Sequence, residues 1–271
     1  VYILKNLYLM FSQYVQAWYS TSVQRDLSIK LNNTFLRSSY LFHLGINSSV
    51  LIRTVNQDVI GVFAVFFFVF KMAAEVITAT AVGIFIISKD PLLAISLVVI
   101  LGTAMGIVVM GLKKIMKKNG KTGQKCEGLM LQYLTQAYTG IKEILVMNRQ
   151  EFFADSYNET CELNAKITKK SNFYNAIPMY IYETVCIGGL ILIVAFRLLL
   201  AGSVEGFVTT LATVAVAAFR LFPSIGRCTT NLNAIIYNRP RLDSIFEMMK
   251  NLKENLLEKA GIRACSGIVP A

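Results

Sequence analysis

Ionisable side chains within apolar stretches are the residues of this sequence that could carry chemistry. Lys71 and Glu75 stand one helical turn apart in one such stretch, and Glu183 stands in another. Arg220 falls at the end of the last predicted crossing, and Arg227 follows two turns later. A charged side chain in the middle of a membrane helix costs roughly 2.5–3.5 kcal/mol, so such residues pair with one another or line a polar cavity. Guanidinium groups in particular suit bidentate recognition of phosphate. These five residues are therefore the candidate lining of a substrate cavity, and Arg220 makes an anionic ligand plausible.

Each candidate also has a structural interpretation. Lys71 and Glu75 could form an ion pair that neutralises both charges. Glu183 could be a buried, hydrogen-bonded glutamic acid, and Arg220 could anchor its helix at the membrane interface. His43 is the only histidine and has no Cys, Ser or Asp motif beside it, so we expect a packed or solvated residue. The sequence predicts no catalytic residue and no metal site.

The elements that must position these side chains are long apolar runs. A bilayer crossing needs about 20 mostly apolar residues, and 55% of this chain is hydrophobic. We therefore predict an all-α, integral membrane helical bundle with about five crossings. The corresponding runs are 1–23, 59–88, 92–112, 173–196 and 206–218.

The distribution of charge predicts the orientation of the bundle. The formal net charge is +11, which could suggest a nucleic-acid partner. However, the lysines and arginines concentrate in alternate connections, such as 113–125 and 166–170, whereas the connection 89–91 is short and nearly balanced. By the positive-inside rule the basic connections face the cytoplasm. We predict a multi-pass protein of the inner (plasma) membrane with a cytoplasmic C-terminus and no nucleic-acid partner.

The longest polar connection, 113–172, has a helical pattern. From Cys126 to Leu145 apolar residues recur at steps of three and four, which indicates one apolar helical face. Two such extensions joined near Gly140 would project about 35 to 40 Å from the membrane at 1.5 Å per residue. They could transmit movement from another domain, or pack against each other without a partner. A further amphipathic face is predicted near the C-terminus, at Leu242, Ile245, Phe246, Met249, Leu252 and Leu256.

Three stretches carry a resemblance to a known family. Residues 40–59 contain Tyr-Leu-Phe-His and then Leu-Ile-Arg-Thr-Val-Asn-Gln-Asp-Val, of the form L-x-R-x-x-x-x-[DE]-V. Residues 138–145 contain Gly-Ile-Lys-Glu-Ile, with Glu151 shortly after, and residues 218–225 contain Phe-Arg-Leu-Phe-Pro-Ser, with Asn233 and Asn238-Arg239-Pro240 beyond. In order and spacing these stretches resemble the transmembrane domain of type I ABC exporters. They are most similar to the branch of lipid-linked oligosaccharide and polysaccharide flippases.

The resemblance implies two cytoplasmic coupling helices that contact an ATPase domain. The first would contain Tyr40, Leu41, Phe42 and His43, and the second Gly140, Ile141, Lys142, Glu143 and Ile144. It also implies that 1–250 is the transmembrane domain without its first helix, that 251–271 is a linker or tail, and that the nucleotide-binding domain is absent. No G-x-x-x-x-G-K-[ST] phosphate loop is present, because the residue five positions before Gly120 is Ile115. ATP and Mg²⁺ are therefore expected on the missing domain, and this chain alone is expected to bind neither.

The function implied is ATP-driven translocation of a lipid-linked or amphipathic substrate by alternating access. The partners implied are the lipid bilayer, a second transmembrane subunit in a homodimer, and an ABC ATPase domain. Three alternatives stay open at this stage. They are an exporter of peptides or drugs, a receptor-like or scaffold bundle without an ATPase, and a truncated fragment that does not transport.

Overall fold

The structure, a computed structural model, describes the backbone of residues 2–88, 91–201 and 207–259. Some side chains within 1–12, 85–101, 190–222 and 254–259 are not described. Throughout the described ranges the chain is helical apart from short turns, and those ranges contain no strand. The predicted all-α class is confirmed.

Three helices are very long. The elements in chain order are α1 (Tyr2–Leu36), α2 (Tyr40–Gly45), α3 (Ser48–Arg53), a π-helical turn (Thr54–Asp58), α4 (Val59–Ile87), α5 (Pro91–Thr139), α6 (Ile141–Val146), α7 (Gln150–Ala201) and α8 (Phe207–Lys259). Helices α5, α7 and α8 contain 49, 52 and 53 residues. At 1.5 Å per residue each is about 74 to 80 Å long, more than twice the roughly 30 Å hydrocarbon core of a bilayer. These lengths confirm the predicted extensions beyond an apolar span.

One stretch among the described residues is long and apolar enough to cross a membrane. It runs from Ser48 to Ile84 with a mean hydropathy of 2.2, and only 17% of its apolar window is buried within the chain. It contains most of the predicted crossing 59–88. The other predicted crossings fall in α1, α5, α7 and α8, where many side chains lie outside the described set, and they stay predictions.

The chain divides into two compact units, and the first comprises residues 1–67, 121–166 and 238–271. Its core joins α1, α2, α4 and α8, through Leu31, Phe35, Phe42, Val59, Val62, Ile245, Met248 and Leu252. The predicted face of α8 is confirmed at Ile245 and Leu252. It is wrong at Phe246 and Met249, which are 69% and 45% exposed, because the helix is rotated so that Met248 enters the core instead.

The second unit comprises residues 68–120 and 167–237. Val108, Leu112 and Met116 of α5 pack there with Tyr182 of α7. Helix α5 also approaches α8 very closely, because a Cβ atom on Gly120 would collide with the backbone oxygen of Tyr237. Glycine at this position is what allows the two backbones to meet.

Candidate functional site

The second unit brings together two of the five predicted cavity residues. Arg227 on α8 donates from Nε to Glu75 Oε1 on α4 at 2.5 Å, and from Nη2 to Glu75 Oε2 at 3.2 Å. This is the bidentate geometry in which a guanidinium holds a carboxylate most firmly. The Glu75 side chain is 19% exposed, whereas that of Arg227 is 58% exposed. The guanidinium is thus anchored on one side and accessible on the other.

Polar packing between α7 and α8 fixes the rotation of α8 beside this pair. The hydroxyl groups of Tyr182 and Thr229, both fully buried, are hydrogen-bonded at 2.9 Å. A Cβ atom on Gly226 would be in ordinary contact with Met179 and Tyr182, 3.9 Å away. Because Gly226 and Thr229 face α7, the intervening Arg227 is directed away from it. This rotation presents Arg227 to Glu75.

The remaining cavity candidates are placed less completely. Lys71 and Glu183 are exposed on α4 and α7. Glu75 is held by Arg227, and the ion pair of Lys71 with Glu75 stays one of the two interpretations of those residues. The side chain of Arg220 lies outside the described residues, although the backbone places it on α8 two turns before Arg227. A cavity role for the five residues stays a prediction.

The first predicted coupling segment is a separate short helix, α2. The Ser39 side chain caps its N-terminus by accepting a hydrogen bond from the backbone N–H of Phe42. Phe42 is buried in the core of the first unit, and the His43 Nε2–H donates to the backbone oxygen of Phe35 at 3.0 Å. Tyr40 and Leu41 are each 77% exposed. One aromatic residue therefore anchors α2, and its neighbours present apolar surface.

The second predicted coupling segment has the same design in α6. Gly140 precedes the helix, and Ile144 is buried while Lys142 and Glu143 are exposed. The turn after α6 contains Asn148 with a φ of 52°, a left-handed conformation that asparagine tolerates better than most residues. Exposed apolar residues adjoin the anchor here too, on its C-terminal side: Leu145, Val146 and Met147. Apolar residues grouped on an exposed tip are typical of a protein interaction surface.

A buried polar network in the first unit was not predicted as such. Asp58, whose side chain is fully buried, accepts from Arg53 Nε at 3.2 Å and from Gln124 Nε2 at 3.0 Å. Residues five apart lie about 140° from each other on an α-helix, so they do not normally meet. The π-helical turn between them inserts a residue into the helical repeat, which brings the two side chains to one face. The Arg-x-x-x-x-Asp spacing in the resemblance motif is the sequence signal of this pair.

A second ion pair joins α5 to α8 within the same unit. Arg241 Nη2 donates to both carboxylate oxygens of Glu127, at 2.6 and 2.8 Å, and the side chains are 16% and 22% exposed. The arginines of both ion pairs lie over glycines. A Cβ atom on Gly61 would overlap the aliphatic part of the Arg241 side chain, and a Cβ atom on Gly128 would lie 2.7 Å from Arg53 Nη1. Burial raises the pKa of Glu127, Asp58 adds to the rise, and the two arginines only partly offset it. A cavity of about 380 Å³ opens beside this pair.

Comparison with known proteins agrees with this architecture. No family model matches the sequence. The structure is similar to that of a bacterial Atm1-family ABC exporter solved with ATP bound, with a TM-score of 0.70 and 16% sequence identity. The match covers 87% of this chain and 41% of the exporter chain, so this chain spans less than half the length of that protein. At this identity the likeness shows the fold alone, and this chain shares the all-helical fold of the matched part of that exporter.

Proposed function

We propose that this chain is the membrane-spanning part of an ATP-driven exporter of lipid-linked or amphipathic substrates. The observation that carries the proposal is the exporter fold combined with two anchored short helices that present apolar tips. An ATPase domain would bind α2 and α6 and hydrolyse ATP with Mg²⁺. The rigid long helices would then convert its closure into alternation between inward-facing and outward-facing arrangements. A second copy of the transmembrane part would complete the cavity.

The physical basis of coupling is the contrast between anchor and tip. Phe42 and Ile144 are buried, so a force applied at α2 or α6 passes into the helices that they pack against. Leu41 and Val146, at 77% and 81% exposed, are the surface on which a partner would press. Truly mobile loops would absorb such a push instead of transmitting it.

The test is whether ATPase activity depends on these tips. The chain is purified from its native membranes by affinity tag, and the ATPase activity that accompanies it is measured. Leu41→Asp and Val146→Asp should abolish the accompanying activity, because each places a charge in an apolar contact. Leu163→Asp is the matched control, since Leu163 is 47% exposed on α7, about 20 Å along that helix from its start beside α6. Absence of ATPase activity with the unaltered chain would favour a scaffold or a non-transporting fragment.

The substrate class rests on the arginines. Arg227 keeps 58% of its side chain exposed while Glu75 holds it in place, and Arg220 lies two turns earlier on α8. A guanidinium fixed in this way is suited to a phosphate or pyrophosphate on a lipid. This favours a lipid-linked substrate over an uncharged drug.

Binding of a polyprenyl pyrophosphate and of the uncharged polyprenyl alcohol would separate the substrate classes. Arg227→Gln should weaken pyrophosphate binding about tenfold or more, the value of one charge-assisted hydrogen bond, and leave the alcohol unaffected. Arg239→Gln is the control, because Arg239 is 64% exposed and pairs only loosely with Asp243, at 3.9 Å. Equal binding of both lipids, unaltered in Arg227→Gln, would favour an exporter of peptides or drugs.

A further inference from the structure

A dense group of lysines follows the apolar run on α5. Lys113, Lys114, Lys117 and Lys118 come directly after Leu112, and all four are exposed. We call these four residues the juxtamembrane lysine cluster. Two more exposed lysines, at 121 and 125, follow further along the same helix.

The packing of α5 in the second unit fixes the direction of the cluster. Leu112 and Met116 are buried in the core, and the buried Asn119 donates to Ser171 of α7 at 3.1 Å. At about 100° per residue the four lysines fall within a sector of about 140° on the other side of the helix. The cluster is thus a stripe that the fold holds outward.

The stripe also lacks counter-charge on its own helix. No acidic residue occurs on α5 between Leu112 and Glu127, and the Glu127 carboxylate is held by Arg241. Lys113 and Lys117 are four residues apart, and like charges at this spacing destabilise a helix. A bound anion would relieve that repulsion.

Depth distinguishes the cluster from the two later lysines. At 1.5 Å per residue the cluster lies within about 9 Å of Leu112, where the uncharged run ends. That distance is close to the Debye length of about 8 Å at physiological ionic strength. Lys121 and Lys125 lie about 14 and 20 Å from the same point, where a charged membrane surface is largely screened.

We propose that the juxtamembrane lysine cluster binds the headgroups of anionic phospholipids where α5 leaves the membrane. Clusters of four or more basic residues next to a membrane helix bind anionic leaflets in this way. The proposal rests on the membrane crossing of the proposed function, but not on transport or an ATPase. The bound lipid belongs to the bulk membrane and is distinct from the transported substrate.

The experiment titrates the detergent-solubilised full chain with lipid and measures the bound lipid by native mass spectrometry. Phosphatidylglycerol and phosphatidylcholine with the same acyl chains are the two probes. Lys113→Gln/Lys114→Gln should lower phosphatidylglycerol affinity about 30-fold, from the attraction of two lysines at the surface, and leave phosphatidylcholine unchanged. Lys121→Gln/Lys125→Gln removes the same charge and should change the affinity little. The variant Lys117→Gln/Lys118→Gln repeats the test at the other end of the cluster if the first variant does not fold.

Each alternative result overturns the proposal. If Lys121→Gln/Lys125→Gln lost as much phosphatidylglycerol affinity as Lys113→Gln/Lys114→Gln, net charge alone would attract the lipid. Equal affinity of the unaltered chain for both lipids would mean that headgroup charge is not recognised. Displacement of phosphatidylglycerol by millimolar inorganic phosphate would assign the cluster to a soluble anion instead. None of these results depends on an accompanying ATPase, so this proposal and the proposed export function can fail separately.

Discussion

Replacing the buried acid of the π-helical turn should destabilise the first unit strongly. In Asp58→Asn the carboxylate that accepts from both Arg53 and Gln124 is lost, while Arg53 stays buried, with only 12% of its side chain exposed. Removing one partner of a buried ion pair costs about 3–5 kcal/mol, because the remaining charge is uncompensated. At roughly 2–4 °C per kcal/mol for a chain of this size, the midpoint of thermal unfolding should fall by about 6–20 °C.

The chain supplies its own reporter for this measurement. Cys126 is a free thiol that is only 2% exposed in the same unit, so a thiol-reactive dye labels it when the unit opens. The unaltered chain and the variant are heated in detergent with the dye, and their midpoints are compared.

The control makes the same chemical change at the surface. Asp243→Asn removes the partner of Arg239 at 3.9 Å, where both side chains are about two-thirds exposed. An exposed pair of this kind contributes at most about 0.5 kcal/mol, so its midpoint should move by about 2 °C or less. Similar midpoints for Asp58→Asn and Asp243→Asn would refute the view that the buried network holds the unit together.

Three further predictions follow from other described contacts. Gly120→Ala should prevent proper folding, because the added Cβ would collide with a backbone oxygen of α8. In Gly111→Ala the added Cβ meets nothing within 4 Å, so this variant should stabilise α5 by about 0.5–1 kcal/mol. The thermal unfolding midpoints of the two variants test both expectations. Asn233→Leu should stabilise the second unit by about 1–3 kcal/mol, because both amide atoms of this fully buried side chain lack a hydrogen-bond partner. Asn119→Leu should destabilise the same unit, because it removes the buried hydrogen bond from Asn119 to Ser171 of α7. The raised pKa of Glu127 favours the protonated acid in the fold, so its contribution to stability is greatest below its ordinary value of about 4.5 and declines as the pH rises through the raised value. As the pH rises from acidic to neutral, the thermal unfolding midpoint of the unaltered chain should therefore fall relative to that of Glu127→Gln. A difference between the two midpoints that does not change with pH would contradict the raised pKa of Glu127.

The long helices could be predicted because their signals are local: uncharged runs and steps of three and four act within a few turns of helix. The short helices at 40–43 and 140–144 were predicted from the resemblance instead. The pairing of Glu75 with Arg227 could not be predicted in this way, because the two residues are 152 positions apart and the nearest opposite charge in sequence is Lys71. Local spacing offers Lys71 as a partner of Glu75 and carries no signal of Arg227.

The ion pair of Arg53 with Asp58 shows a different limit. The motif that contains both residues was visible, but ordinary helical geometry separates them. The π-helical turn that joins them is stabilised from outside the segment, by Gln124 on α5 and by the space over Gly128. Information of that kind is tertiary, so a single sequence read locally does not contain it.

The central claim is that α6 lies at a cytoplasmic tip where an energy-supplying domain binds. It is tested most directly by inserting the recognition sequence of a site-specific protease at Asn148, in the exposed turn that follows α6. The protease is then added to intact cells and, separately, to inside-out membrane vesicles. Cleavage is expected in the inside-out vesicles alone. Cleavage in intact cells would place the tip on the outer side, where no ATPase domain could bind it.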